Sequence, residues 1–329
     1  MFLNFQNKKV LLRGLLTATV LALAAKFLSS HYKAPAMLFA LLLGLSFHFV
    51  YRDNSTRQGI DLTADFILKL AVGLLGFRLS FDNIQNIGVS SIFLVFSMVF
   101  LTIGFGLVLA KIFKKELTFG ILSGGSVAIC GASAALAIFS VLPRSPFGDR
   151  DMALVIVGVT ILSTLAMISY PIIFSSLGMN DFATGFIIGA SIHDVAQVVG
   201  AGYSISDEAG IIATFIKMLR VSLLPIVVIM LLSTVNRSGG KKIKLPWFLI
   251  LFFSLAAIKN LVPIPLLLTQ SIENISSWLL LISIAAIGVK TNLAAVTSVS
   301  YVYGVILTLE TLFLLLLSLG SLHILTFLN

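Results

Sequence analysis

Two cations stand three residues apart in an otherwise apolar stretch: Lys217 and Arg220, within FIKMLRVSLLPI (Phe215 to Ile226). On a helix, residues at i and i+3 share a face. No Asp or Glu lies within a turn of either. Paired cations in an apolar medium need a counter-charge: Asp194, Glu310 or a bound anion. The bland alternative is a buried salt-bridge network that locks helices together. Lys290 is a third deep cation, in Gly288-Val289-Lys290-Thr291-Asn292. His193 and Asp194 adjoin, and Gln197 follows His193 by four residues on the same helical face. An imidazole titrates near neutral pH and a carboxylate can carry a proton, so this trio suits proton coupling. For His193, and more so for His48, the competing reading is a hydrogen bond to a neighbouring helix. Asp65 and Lys69, at i and i+4, suit a simple pair with each other. Glu310 has no partner evident in sequence.

These groups sit in a chain of 329 residues that is 58% hydrophobic and 11% charged, with mean hydropathy +1.09. A soluble domain carries about 25% charged residues, so the elements that position them are membrane helices. The single cysteine, Cys130, excludes an internal disulfide framework, and no CxxC or His/Cys cluster suggests a metal. Net charge is +9, but the basic residues are spread over short loops, which fits positive-inside bias rather than nucleic acid.

Apolar runs between polar turns predict about eleven spans, near 12–29, 34–51, 62–80, 88–110, 117–142, 152–176, 181–202, 208–233, 246–263, 272–297 and 300–325. The opening run from Leu15 to Ala25, after Lys8, Lys9 and Arg13, mimics a signal peptide and is read as an uncleaved first span. With the N-terminus inside, twelve basic residues fall in cytoplasmic segments: Lys8, Lys9, Arg13, Arg52, Arg57, Lys111, Lys114, Lys115, Arg237, Lys241, Lys242 and Lys244. Five fall outside: Lys33, Arg78, Arg144, Arg150 and Lys259.

The span from Leu117 to Leu142 is interrupted by Ser123-Gly124-Gly125-Ser126 and Cys130-Gly131-Ala132-Ser133. Such residues weaken a helix where lipid cannot satisfy the freed backbone, so a break there must face protein or a wet cavity. Alternatively, Gly120-x-x-x-Gly124 lets a neighbouring helix approach closely. Leu42 to His48 is similar to Ile187 to His193, and Phe66 to Phe77 to Phe215 to Ile226, at offsets of 145 and 149. Gly131 aligns roughly with Gly288, where a second interruption is expected. Five spans per repeat would place the halves in opposite orientations.

SGGSVAICGASAALA, SIHDVAQVVGAG, FIKMLRVSLLP and AAIGVKTNL resemble, over most of the chain, signature stretches of the YeiH family of bacterial inner-membrane proteins, usually described as sulfate exporters. The resemblance implies the fold of sodium/proton antiporters and bile-acid symporters: a core, a gate or panel region, and two crossed discontinuous helices. Cation antiporters of that fold would place carboxylates in the first break, which here has none. Among the deep groups four are basic and three acidic, which favours an anionic cargo.

The reading is therefore an all-α polytopic membrane protein: one transporter domain with an extra N-terminal helix (1–33) and inverted five-helix repeats (34–178 and 179–329). It is expected to be a secondary transporter exporting a small inorganic anion, sulfate or a related oxyanion. A proton- or sodium-coupled organic-anion transporter is the alternative. An intramembrane hydrolase using Cys130, His193 and Asp194 is remote, because an acid adjacent to a histidine rarely orients that same ring. Expected substrate-binding residues are Ser123, Gly124, Gly125, Ser126, Cys130, Gly131, Ser133, Lys217, Arg220, Lys290 and Asn292. Coupling is assigned to His193, Asp194 and Gln197, with no cofactor, metal or catalytic residue. The expected partners are a small anionic solute and the lipid bilayer, not nucleic acid, and a homodimer is one assembly the reading allows. The expected location is the bacterial inner membrane, multi-pass, with a cytoplasmic N-terminus.

Overall fold

The computed structural model describes residues 5–32, 36–79, 81–143, 148–235, 246–291 and 301–328. All elements among them are helical: α1 (Phe5–Tyr32), α2 (Ala36–Ser46), a 3-10 turn (His48–Arg52), α3 (Asn54–Leu62), a π-helical turn (Thr63–Ile67), α4 (Leu68–Leu75) and a second 3-10 turn (Gly76–Arg78). Then come α5 (Phe81–Ile112), α6 (Leu117–Ala128), α7 (Ala132–Phe139), α8 (Gly148–Ser176), α9 (Asp181–Ser191) and α10 (Val195–Tyr203). The last are α11 (Asp207–Ser222), α12 (Leu224–Val235), α13 (Trp247–Leu261), α14 (Leu266–Lys290) and α15 (Tyr301–Leu328). Among the described residues six stretches are long and apolar enough to cross a membrane: Val10–Tyr32, Ser90–Ile112, Arg150–Ser176, Asp207–Leu232, Leu266–Lys290 and Tyr301–Leu325. Other apolar helices, such as α2 and α6, are shorter because the chain breaks beside them.

The chain divides into two compact units, each assembled from separate segments: Met1–Ile84, Val199–Ile211 and Pro246–Leu293 form one, and Gln85–Val198, Ile212–Leu245 and Ala294–Asn329 the other. In the first unit α1 packs on α2, α3 and α14, and α4 packs on α13 and α14. Asp53 caps α3 by accepting from the Ser55 amide at 2.9 Å. The Ser55 hydroxyl also donates to it, holding this carboxyl below its usual range. Asp65, in the π-helical turn, pairs with Lys69 at 2.7 Å, as its spacing suggested.

The helix α14 is not interrupted at Gly288 itself; it runs on to Lys290 and stops there, with Thr291 extended (φ −72°, ψ 120°), inside the stretch where the second interruption was expected. Gly288 instead serves close packing: a Cβ there would lie 2.8 Å from the Cα of Gly44, and one on Gly44 would lie 2.8 Å from the Cα of Gly288. Two backbones meet there because neither carries a side chain, an arrangement that suits helix association in lipid. Asn292 lies outside the described residues.

In the second unit α8 packs on α6, α7 and α9, and α15 packs on α6, α8 and α9. Gly120 and Gly124 of α6 meet Gly106 of α5, where a Cβ on Gly120 would come 2.6 Å from the Gly106 carbonyl oxygen. Thus Ser123 to Ser126, expected to be unwound, is intact buried helix. Its small residues admit α5, the alternative reading of this motif.

Candidate functional site

The second unit contains two broken helices. The first pair is α6 and α7, separated by Ile129 to Gly131; the second is α9 and α10, separated by Ile192 to Asp194. The breaks lie against each other, since a Cβ on Gly131 would be 3.5 Å from that of His193. Gly131 has φ +61° and ψ −124°, a conformation open essentially to glycine alone. The second break contains no glycine. There Ile192 is extended, with φ −68° and ψ 141°, and Asp194 caps the restart by accepting from the Ala196 amide at 2.8 Å.

A helix that stops inside a membrane leaves carbonyl groups without intrahelical donors, and these must be satisfied within the protein. At the end of α6, Gly125 O accepts from Ile129 N and Ser126 O from Gly131 N. The remaining carbonyls are taken by side chains of α11. Arg220 donates from Nε to Ala128 O at 2.7 Å and from Nη2 to Val127 O at 2.8 Å. Its Nη1 reaches the end of α9, at Gly189 O (3.0 Å) and Ile192 O (2.8 Å). Lys217 Nζ bridges both breaks, donating to Ile129 O at 2.7 Å, to Ile192 O at 2.9 Å and to His193 O.

Both cations are fully buried, and seven hydrogen bonds fix them to the carbonyl ends of two half-helices. Those ends carry partial negative charge, which a cation offsets. The hydrogen bonds of both cations go to backbone oxygens, and Asp194, one of the expected counter-charges, lies close enough to Lys217 to interact with its charge. The i and i+3 spacing is what sends both side chains to the same pair of breaks.

His193, 1% exposed, has Nδ1 3.2 Å from Val127 O and Nε2 3.0 Å from the hydroxyl of Thr311 on α15. A carbonyl only accepts, so Nδ1 carries a hydrogen. The Thr311 hydroxyl is also 2.7 Å from Leu307 O. With His193 neutral, this hydroxyl donates to Nε2; with His193 protonated, Nε2 donates to the hydroxyl, which donates to Leu307. The surroundings satisfy both states. His48 does the same in the first unit with its Nδ1, 2.9 Å from Val289 O in the last turn of α14. The helices α2 and α9 each have eleven residues, and each ends on a serine two residues before the histidine.

The other expected site residues are placed as follows. Ser123 donates to Glu310 at 2.7 Å, and Ser126 donates to its own helix at Leu122 O. Gly124 packs towards α5, and Gly125 faces Ile138. Cys130 is buried and unoxidised, with its sulfur against the Ala134 amide. Ser133 is exposed in the first turn of α7. Gln197 donates to Thr164 at 2.8 Å, and Asp194 N to Ser163 at 3.1 Å. Lys290 belongs to the first unit, where it pairs with Asp61 at 2.8 Å, and Tyr51 donates to the same carboxylate. Both ring nitrogens of His193 are engaged by groups other than Cys130 and Asp194, so a Cys-His-Asp triad is not assembled. Thr311 and Ser163 are the residues that sequence reasoning missed. Neither stands in a motif, and only the fold brings them to the breaks.

The profile of a family described as conserved hypothetical protein 698 matches residues 13–306. The chain is 44% identical over 316 residues to the UPF0324 membrane protein CT0845 of Chlorobaculum tepidum, covering 94% of this chain and 88% of that one. It is 44% identical over 317 residues to the UPF0324 membrane protein RB0971 of Rhizobium meliloti, covering 94% and 92%. To the UPF0324 membrane protein TauZ of Paracoccus denitrificans it is 42% identical over 320 residues, covering 95% of each.

Proposed function

The chain belongs to the UPF0324 membrane protein family, the group to which its YeiH-like stretches pointed, and from that premise we propose that it is a secondary transporter of a small anion. The observation that carries this reading is the asymmetry of the two breaks. Lys217 and Arg220 neutralise the carbonyl ends of α6 and α9, whereas the amide end of α7 receives no side-chain cap from its N-cap residue. Gly131 has no side chain to offer there, and the Ala132 and Ser133 amides with the Ser133 hydroxyl form a positive, partly exposed helix start. Helix N-termini of this kind hold anions, and broken helices in transporters use them so. The α10 start differs, being capped by its own Asp194.

Sulfate or a related oxyanion fits a site built from amides and a hydroxyl. Export by alternating access, an inverted repeat linking α2 with α9, and an inner-membrane location with the N-terminus inside complete the proposal. The matched histidine contacts of His48 and His193 support the repeat. The test is a thermal-shift screen of purified protein against anions and cations, since a ligand of the folded state raises the melting temperature with concentration. Stabilisation by oxyanions and not by matched cations supports the reading; stabilisation by cations alone would refute it.

A further inference from the structure

Glu310 lies nine residues into α15, about 14 Å along the helix at 1.5 Å per residue, and is fully buried. Its Oε1 is 2.7 Å from the Ser123 hydroxyl, and its Oε2 has no hydrogen-bond partner among the described residues. The space it occupies is kept open by glycine: a Cβ on Gly106 would come 2.9 Å from Oε1. Resting on the transporter reading, which it deepens by naming the coupling ion, we propose that Glu310 is a proton-binding site, loaded in the resting protein and held by Ser123.

Among the described residues no cation pairs with this carboxylate. α6 has no ionisable residue, and α5 offers Gly106 at this level, with Lys111 at its far, exposed end. On α8 the charged residues Asp149, Arg150 and Asp151 all belong to the first turn, where Asp151 accepts from Tyr303, and the remaining titratable group is Tyr170. Lys115 donates to that same Tyr303. α9 carries Asp181 at its start only, and the adjoining break places His193 on Thr311, the next residue along α15. Lys217 and Arg220 are engaged by the carbonyls of Val127 to Ile129, a turn beyond Ser123. On α15 itself the other titratable groups are Tyr301, Tyr303 and His323.

An unpaired carboxylate at this depth is costly, and a proton removes the charge without a coordination shell. The hydroxyl geometry accommodates it. With Glu310 protonated, Oε1 donates to Ser123 Oγ, whose own hydrogen points to Gly120 O at 3.5 Å. With the proton gone, the Ser123 hydroxyl turns and donates to Oε1. Thr311 contacts His193 through its hydroxyl, so consecutive residues of α15 attend two buried titratable groups.

The experiment is infrared difference spectroscopy of the purified, lipid-reconstituted full chain in the carbonyl region of protonated carboxylic acids, without added anion, as pH is raised. The wild type should show one band at neutral pH that disappears in alkali. Glu310→Gln should lack it while keeping the wild-type melting temperature, because glutamine has the shape and neutrality of the protonated acid. Ser123→Ala should keep the band at a shifted frequency, since it loses the hydroxyl partner. Identical spectra for wild type and Glu310→Gln overturn the proposal, as does a Ser123→Ala band unshifted from wild type. Stabilisation by sodium that vanishes in Glu310→Gln also overturns it, in favour of a metal cation. Anion binding is not read by these spectra, so failure of the transporter reading would leave this result unaffected.

Discussion

The ammonium of Lys217 donates to the carbonyl oxygen of Ile129 at 2.7 Å, tying a lysine of α11 to the residue that follows the last turn of α6. The same group reaches Ile192 in the other break, and Arg220, one turn further along α11, spans both breaks as well. Two buried cations therefore direct their hydrogen bonds to helix ends. This fixes two interrupted helices against each other, and the α7 start is where the proposed anion would bind.

Stability should depend on both cations. Lys217→Met leaves the carbonyls of Ile129 and His193 without this donor and Ile192 with Arg220 alone, a loss of about 3 kcal/mol or more given ~1.5–3 kcal/mol per charge-assisted bond. Arg220→Lys keeps the charge but has three donors where four bonds are made, and lacks the planar fork. It should lower stability by roughly 1.5–3 kcal/mol. Melting of each variant in detergent, without anion, reads this; wild-type stability in both would return the pair to a ligand-binding role.

Gly131 should resist substitution for a backbone reason. A Cβ there finds ordinary van der Waals room, 3.5 Å from His193 Cβ, but φ is +61°. Gly131→Ala should cost ~1–3 kcal/mol from strain alone and disturb the α7 start. Tolerance of alanine, with unchanged melting and anion affinity, would contradict this.

Much of this was readable from residue types, and the failures have physical causes. The membrane class and the break near Gly131 follow from apolar runs and glycine density. The Asp65 and Lys69 pair follows from i,i+4 spacing. Glycine marks two opposite things in lipid, a weak helix and a close helix contact, and Gly288 is the latter, although α14 does stop two residues beyond it at Lys290. The break at Ile192 to Asp194 was not read from sequence because it contains no glycine. The partners of Lys217 and Arg220 were not legible because backbone carbonyls are present at every residue and leave no mark in sequence. Glu310 was visible as an anomaly, but its Ser123 contact joins residues 187 positions apart.

Proton coupling should pass through His193. His193→Gln keeps a donor for Val127 O but cannot titrate, so the pH dependence of flux should shift while folding persists. Thr311→Val removes the hydroxyl that serves both protonation states and should change the same pH profile without touching the α7 start. Asp194→Asn, which can still cap α10, should lose pH-dependent flux yet bind anion at fixed pH. Wild-type pH profiles in all three would remove the imidazole and its neighbour from coupling.

Orientation can be read by cysteine-accessibility labelling in intact cells. Cysteines placed between Arg237 and Lys244 should label only after the membrane is opened, and those between Pro143 and Asp151 should label from outside. Labelling of both from one side would contradict the inverted arrangement of the halves.

Anion exchange across a membrane tests the central claim most directly. Vesicles containing the purified protein are loaded in turn with unlabelled sulfate, sulfite, phosphate or a small carboxylate, and trace radiolabelled anion of the same kind is added outside. The account predicts transient accumulation of label for at least one oxyanion, lost when the internal anion is omitted and reduced in Gly131→Ala. Uptake no greater than in protein-free vesicles for every anion would contradict it.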